Sequence, residues 1–413
     1  MSTVFELTAA SPRGFADLLA RELATFGAQD LKERSTGVAC RGDLAVVYRA
    51  CLESRIANRV FLELARFEAA DADAFYAAAR GIDWTQHLGS DNTLACDFSG
   101  RHPTVTHSQF GALRLKDAIV DSLREASGSR PDVARERPDV RVHAHAQGAR
   151  ITISLDLSGQ SLHRRGYREA AGEAPVKENV AAGVLVRAGW PELAAQGAEL
   201  LDPLCGSGTF VIEGALIAAD IAPGLMRDYF GFLGWRGHDV ALWESLRAAA
   251  RERAHAGAAM VRSVLRGVDR DPGAIANAHR NARTAGLESL VRFEAGALAD
   301  AAPLGNGLVC TNPPYGVRLE DRESARNVHR ELGRVLRDRF VGWKAAVLTG
   351  APDLGLEIGI RAQRVHTVWN GPIECRLLRI DVQPEEFRVP GMPSRETKID
   401  YMEIGRASCR ERV

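Results

Sequence analysis

Apolar and polar positions along this chain change period several times, and the changes divide it into three stretches. Residues 4–8 read as a short strand, and 14–26 carry Phe15, Leu18, Leu19 and Leu23 at helical spacing on one face. Residues 30–42 alternate as two short strands around Gly37, 43–52 are helical, and 57–67 return as a strand. That β-α-β-β-α-β order predicts a ferredoxin-like unit. A second small α/β unit follows. It comprises a mostly helical 71–88, a strand over 93–98, a long amphipathic helix over 110–126, and a strand pair over 141–157 that turns at Gln147-Gly148. From about Ser158 onward, apolar strands alternate with helices, as in a doubly wound parallel sheet.

Length and composition add less. A chain of 413 residues is long enough for two to three domains with ample core. The residues 223–255, with Phe230, Phe232, Trp235 and Trp243, exceed what a helix-to-strand connection needs. They read equally as a packed helical insert or as a wall that holds a substrate beside a site. No apolar run approaches the length of a membrane span and the start lacks a signal-peptide pattern, so the expected location is the cytoplasm, with no membrane partner. The seven cysteines form no Cys-x-x-Cys pair, which argues against a zinc site or a disulfide framework; no metal is expected, and Cys205 and Cys310 read as packing residues.

Lys and Arg balance Asp and Glu at 53 each, so only local clustering of charge is informative. Arg135, Arg137, Arg141, Arg150, His163, Arg164, Arg165 and Arg168 crowd the approach to the third stretch. They lack acidic neighbours in sequence over 141–150 and 163–168, which predicts phosphate contacts. A second set, from Arg322 through Arg326, Arg330, Arg334, Arg337 and Arg339, reads largely as solvated helix faces balanced by nearby acids.

The third stretch carries the chemistry. The run 197–201 reads as a buried strand entering Asp202-Pro203-Leu204-Cys205-Gly206-Ser207-Gly208-Thr209, and a helix follows over 210–219. Gly206 and Gly208 allow backbone to approach a ligand where a Cβ would collide. The pattern is neither the dinucleotide Gly-x-Gly-x-x-Gly nor a Walker loop, which lowers hydride transfer and ATP hydrolysis in rank. Asp202 is placed to accept from an ammonium group. Asp269 ends a second short strand, 263–269, where a carboxylate suits ribose hydroxyls; the alternative is a helix-capping role. About a hundred residues after the glycine turn, an apolar strand runs into Thr311-Asn312-Pro313-Pro314-Tyr315. An exocyclic amine of a nucleobase is a poor nucleophile because its lone pair is delocalised. The Asn312 side-chain carbonyl and the Pro313 backbone carbonyl can each accept one N–H and direct that lone pair outward, while Pro313 and Pro314 restrain the turn and Tyr315 offers a stacking face.

The series Leu162-His163-Arg164-Arg165-Gly166-Tyr167-Arg168, Ala174 to Asn179, Asp202 to Thr209, Asp269, Thr311 to Leu319 and Asn370 to Leu377 resembles the THUMP-domain class I RNA methyltransferases. Within them it is most similar to the RlmL family of bacterial 23S ribosomal RNA guanine-N2 methyltransferases. The resemblance covers roughly residues 1–381. It implies a fold class of α/β type: a Rossmann-like class I methyltransferase domain over 159–382, preceded by a ferredoxin-like domain over 1–68 and a THUMP RNA-binding domain over 69–158. It further implies S-adenosyl-L-methionine as cofactor, held by Asp202, Pro203, Cys205, Gly206, Ser207, Gly208, Thr209, Asp269 and Asn312. Asn312, Pro313, Pro314 and Tyr315 would form the catalytic turn, Arg164, Arg165 and Arg168 would contact RNA, and 23S ribosomal RNA would be the partner. Lys177 and Glu178 border the cofactor pocket by their place in the family motif. The family usually has an acidic residue facing the adenine amine at the end of the third strand; here Ala297 takes that place, with Asp300 nearby but out of register.

Three other readings share these features: a tRNA guanine-N2 methyltransferase, a DNA adenine-N6 methyltransferase, and a non-catalytic RNA-binding ribosome-assembly protein, which Ala297 favours. Residues 383–402 read as a proline-rich linker, and 403–413 look like an in-frame translation of a sequencing adapter. The chain is therefore expected to be a fragment of the fused form that carries a second, C-terminal methyltransferase domain.

Overall fold

The computed structural model of the chain describes residues 3–168, 176–316 and 319–388. The end of the expected linker, the adapter-like 403–413, Val317, Arg318 and the residues 174–175 lie outside the described residues.

The first stretch folds in the expected order: β1 (Phe5–Ala10), α1 (Ala16–Thr25), β2 (Gln29–Arg34), β3 (Gly37–Gly42), α2 (Leu44–Glu53) and β4 (Arg59–Glu68). Phe15, Leu18, Leu19 and Leu23 are buried, and Asp43 caps α2 by accepting from the Val46 amide at 3.1 Å. The second unit supplies α3 (Ala72–Arg80), β5 (Thr93–Arg101), α4 (Ser108–Ser127), the two-residue β6 (Asp132–Val133), β7 (Val140–Gln147) and β8 (Arg150–Asp156). These two units are not separate layers. Strand β4 pairs antiparallel with β8, from Phe61 opposite Asp156 to Glu68 opposite Arg150, and the result is one eight-stranded sheet in the order β2-β3-β1-β4-β8-β7-β5-β6.

The remainder comprises α5 (Glu178–Arg187), α6 (Trp190–Ala195), β9 (Glu199–Asp202), α7 (Thr209–Ala218), α8 (Val240–Met260), β10 (Leu265–Asp269), α9 (Pro272–Thr284), β11 (Val291–Ala295), β12 (Gly307–Thr311), α10 (Leu319–Arg339), β13 (Lys344–Thr349), α11 (Pro352–Gly355), β14 (Arg364–Asn370) and β15 (Ile373–Asp381). The sheet order is β11-β10-β9-β12-β13-β15-β14, parallel as far as β13, with the β14–β15 hairpin antiparallel at the edge. The order reverses between β9 and β12, which are direct neighbours with Leu200 opposite Leu308. In an open α/β sheet, ligands bind beyond the carboxyl ends of the strands at such a switch point. Asp202 ends β9 and Thr311 ends β12, so the glycine turn and the Asn-Pro-Pro-Tyr turn leave the sheet side by side.

The aromatic segment after α7 is a packed insert. Phe230, Phe232, Trp235 and Trp243 are buried. Tyr48 of α2 lies 4.7 Å from the Phe232 ring and 5.7 Å from that of Trp243, its hydroxyl accepts from the Asp239 amide at 2.8 Å, and it also bonds His238 Nδ1. These rings join the N-terminal half to the parallel-sheet half. Among the described residues no helix is long and apolar enough to cross a membrane.

Candidate active site

Strand β9 is buried along its whole length and delivers Asp202 into the sheet, with 2% of its surface exposed. Burial pushes the Asp202 carboxyl up to about 7; the negative charge of Asp269 acts in the same direction, against the Thr311 hydroxyl and the Leu204 amide. The Leu204 N–H donates to Oδ1 at 3.1 Å.

Beyond it the turn is tied down from below. The Cys205 N–H donates to the Val268 carbonyl at 2.9 Å, the Gly208 N–H to the Cys205 carbonyl at 2.8 Å, and Asn281 Nδ2 to the Ser207 carbonyl at 3.0 Å. The two glycines meet different demands. Gly206, at φ +52°, faces open space, since a Cβ there would find no atom within 4 Å. Gly208, at φ +83°, is a packing position whose added Cβ would lie 2.7 Å from the Phe293 ring. The Cys205 thiol is pushed well up by burial, in keeping with a packing role rather than a nucleophilic one.

Asp269 binds the turn directly. Its Oδ2 accepts from the Gly206 amide at 2.8 Å and its Oδ1 from the Asp271 amide at 3.0 Å, and each oxygen keeps a further lone pair. The cap of α9 is Asp271, which accepts from the Gly273 amide at 2.8 Å, so the capping alternative for Asp269 does not hold. Thus a turn open above Gly206 is bracketed by two carboxylates at neighbouring strand tips. That arrangement fits a ligand with an ammonium at one end and a ribose diol at the other, as in S-adenosylmethionine. Ala297 is exposed after β11, and Asp300 is exposed at the end of a short helical turn, Leu298–Asp300.

At the tip of β12, Thr311 and Pro313 are buried, Asn312 is half-buried and Pro314 is exposed. The Tyr315 hydroxyl donates to Asn312 Oδ1 at 2.6 Å and stands 3.6 Å from Cys375 Sγ. Its ring lies against Gly350, where a Cβ would come 2.7 Å from the ring and 3.2 Å from Ile373 Cγ2. Tyr315 is therefore more than a stacking face. It occupies one of the two lone pairs of the Asn312 carbonyl and fixes the direction of the other.

The predicted RNA-contacting arginines separate. Arg165 is 1% exposed, donates to the carbonyls of Leu162 and Arg55, and faces the buried Glu213 carboxylate at 3.6 Å. It cannot reach a phosphate, and its assignment as an RNA contact is corrected to a core ion pair. Arg168 spends its guanidinium on the Val176 carbonyl, on Thr209 Oγ1 at 2.7 Å and on Glu178 at 3.5 Å, and so braces the far end of the glycine turn. Arg164 is exposed. Others in the cluster have acidic partners distant in sequence: Arg137 pairs with Asp228, Arg141 with Asp97 and Arg150 with Glu68. In the second set Arg322, Arg326, Arg330 and Arg334 are ion-paired, as their neighbouring acids suggested.

Sheet order, the switch-point turns and the fused N-terminal half define a class I S-adenosylmethionine-dependent methyltransferase fold carrying a THUMP domain. The chain belongs to the RMKL-like methyltransferase family, whose domain model matches residues 165–379. The THUMP domain model matches 69–156 and that of the RlmL ferredoxin-like domain 6–61. The chain is 52% identical over 391 residues to the ribosomal RNA large subunit methyltransferase K/L of Methylococcus capsulatus, an alignment that covers 94% of this chain and 53% of that protein. It spans about half the length of the curated relatives it matches. Among solved structures, SMU.472, determined in complex with SAH, superposes with a TM-score of 0.81 at 27% identity over 92% of this chain and 98% of that one. A Listeria monocytogenes protein described as a predicted N6-adenine-specific DNA methylase gives 0.81 at 30% identity over 92% and 96%.

Proposed function

We propose that the chain transfers a methyl group from S-adenosylmethionine to the N2 amine of a guanine in 23S ribosomal RNA, in the cytoplasm. The observation that carries this reading is the Asn312 carbonyl, oriented by Tyr315 at the switch point beside the glycine turn. Bound cofactor supplies an electrophilic methyl group. Asn312 Oδ1 and the Pro313 carbonyl would accept the two N–H bonds of the flipped base, so the nitrogen lone pair is exposed toward that methyl group; S-adenosylhomocysteine is left as the other product, and the proton that the methylated nitrogen sheds passes to solvent, so no strong general base is required. Asp202, Gly206, Gly208 and Asp269 hold the cofactor. The THUMP half, which shares its sheet with the ferredoxin-like unit, presents the RNA.

The test incubates the protein with labelled S-adenosylmethionine and unmodified 23S RNA, tRNA or DNA, followed by digestion to nucleosides. N2-methylguanosine from 23S RNA is expected. Label confined to tRNA or to DNA adenine keeps the chemistry and changes the substrate; no transfer to any pool counts against catalysis.

Asp202 gives a second expected result. A carboxyl whose folded pKa lies near 7, against an ordinary value of 3.8, stabilises the fold fully below pH 3.8 and progressively less as pH rises toward about 7. Asp202→Asn removes that pH-dependent cost. The variant should therefore melt higher than the parent at pH 8 in the absence of cofactor, yet bind S-adenosylhomocysteine about tenfold or more weakly, for want of the ammonium's partner. Scanning calorimetry with and without the ligand measures both. Undiminished ligand affinity would remove Asp202 from the cofactor site.

A further inference from the structure

A cavity of about 610 Å³ lies where the THUMP half, the insert and the methyltransferase half meet, within the roughly 300–1,000 Å³ range of small-ligand clefts. Its position relative to the candidate active site is set by two shared residues. Ile373 forms part of its wall and packs with Tyr315 around Gly350, while Arg168, also in the wall, holds Thr209 at the end of the glycine turn. The cavity thus touches both turns of the methyl-transfer site from one side.

Arg137 and Arg168 in the cavity wall face Asp228 and Glu178, but Arg164 and Lys177, also in the wall, have no acidic or hydrogen-bonding partner for their side-chain nitrogens among the described residues. Lys177 is placed by its backbone, whose amide donates to Asn370 Oδ1 at 3.1 Å, so its stem starts at the mouth of the β14–β15 hairpin. The wall also carries His163, whose Nδ1 bonds Ser161 Oγ at 2.7 Å. Burial, together with the charges of Lys177, Arg165, Arg164 and Arg168, lowers its pKa to about 3, so the ring stays neutral in a field set by four cations. Two cations such as Arg164 and Lys177 in one wall, beside the ion-paired Glu178 and Asp228, favour an anion in the cavity. Tyr229 also lines the cavity; its hydroxyl donates to the Pro138 carbonyl and its ring packs beneath Arg137, so an aromatic body also borders the space.

We infer that this cavity receives the RNA strand next to the target base, with Arg164 and Lys177 gripping a backbone phosphate of the adjoining nucleotide. The inference rests on the methyl-transfer reading for the identity of the strand and deepens it by naming the strand's entry point. A phosphate clasped there would hold the flipped base against the Asn312 turn from outside, so Arg164 and Lys177 are positioning residues and not catalytic ones.

The test uses the full chain, an Arg164→Ala/Lys177→Ala double variant, and Arg330→Ala, whose parent residue is paired with Glu357, as a control. Binding of a labelled unmodified 23S RNA fragment is followed by anisotropy between about 50 and 200 mM salt, and S-adenosylhomocysteine binding by calorimetry. The double variant should bind RNA about tenfold more weakly at low salt, with a log–log salt slope flatter by about one for each phosphate that is no longer neutralised. The melting temperature should match the parent's, which shows the variant to be folded; S-adenosylhomocysteine affinity, with Lys177 bordering the cofactor pocket, should fall by much less than RNA affinity, and Arg164→Lys/Lys177→Arg should restore RNA binding. RNA affinity and slope equal to the parent's would overturn the inference. So would a fall in cofactor affinity alone, which would assign the cavity to the cofactor, or saturable binding of guanosine 5′-monophosphate by a protein that ignores the oligonucleotide. If the parent binds RNA through this pair but transfers no methyl group, the methyl-transfer reading fails and the cavity assignment stands.

Discussion

Asn312→Ala is expected to lower the turnover of methyl transfer by roughly 10²–10³-fold, the usual cost of losing one preorganised hydrogen-bonding group at a reacting centre. Affinity for RNA and for S-adenosylhomocysteine should stay within a few-fold of the parent's. The size of the effect follows from what the side chain does. A guanine amine has its lone pair in the ring π-system, and two acceptors on one side of the nitrogen are needed to turn that pair toward the methyl group. One of the two is a backbone carbonyl that no substitution removes; the other is Asn312 Oδ1. This oxygen is already oriented, since the Tyr315 hydroxyl donates to it at 2.6 Å and the Tyr315 ring is held against Gly350. Alanine keeps the turn, with Pro313 and Pro314 still restraining it, and deletes only the acceptor. Tyr315→Phe keeps the acceptor but releases its orientation, so its loss should be smaller and should likewise fall on turnover rather than on binding. The measurement is single-turnover transfer at saturating cofactor and RNA, beside equilibrium binding of each. An Asn312→Ala protein that retains more than about a tenth of the parent rate would mean that the amine is activated by another group.

Much of this arrangement was legible in the sequence because it is local. The helical spacing of Phe15, Leu18, Leu19 and Leu23 identified α1, and the helical stretch 43–52 identified α2, because each depends on residues within a few positions of one another. The glycine turn was legible for the same reason, as a buried strand, two glycines and a helix in one continuous run. Pairings between distant segments were not. Nothing in Arg59–Glu68 or Arg150–Asp156 says that these strands meet and fuse two units into one sheet, since either could have been an edge. The charges failed in the same way. The arginines of the stretch 135–168 looked unneutralised because their partners Asp97, Asp228 and Glu213 lie tens of residues away, and only folding brings them together. Lys177, conversely, carried a motif position without a physical role until the hairpin after Asn370 closed one side of the cavity beside it.

Arg165 is where that difference has the largest measurable consequence, and Arg165→Met is expected to cost about 3–5 kcal/mol of stability, the range for breaking a buried ion pair on one side only. The guanidinium and the Glu213 carboxylate are both sealed from solvent, at 1% and 0% exposure. Methionine replaces the bulk of the side chain and leaves Glu213 with the Tyr167 hydroxyl at 3.1 Å as its hydrogen-bonding partner. Burial already pushes the Glu213 carboxyl above its ordinary range, and Arg165 is the foremost group pulling it back down. Without Arg165 the folded state holds the Glu213 proton more tightly. The deficit should therefore be small below the ordinary carboxylate range, where Glu213 is protonated folded or unfolded, and should grow as pH rises and the unfolded chain releases its proton while the folded one must keep it or bury a charge. The double variant Arg165→Met/Glu213→Leu removes both charges and should recover most of the loss, since a buried pair exchanged for packed apolar groups is often neutral. Denaturant unfolding at pH 5 and pH 8 reads the stabilities, and RNA affinity of the double variant separates a core role from a phosphate-binding one. A structural Arg165 leaves that affinity unchanged, whereas a double variant that folds as well as the parent but binds RNA much more weakly would return Arg165 to the phosphate-contacting set and require the buried geometry to open when RNA binds.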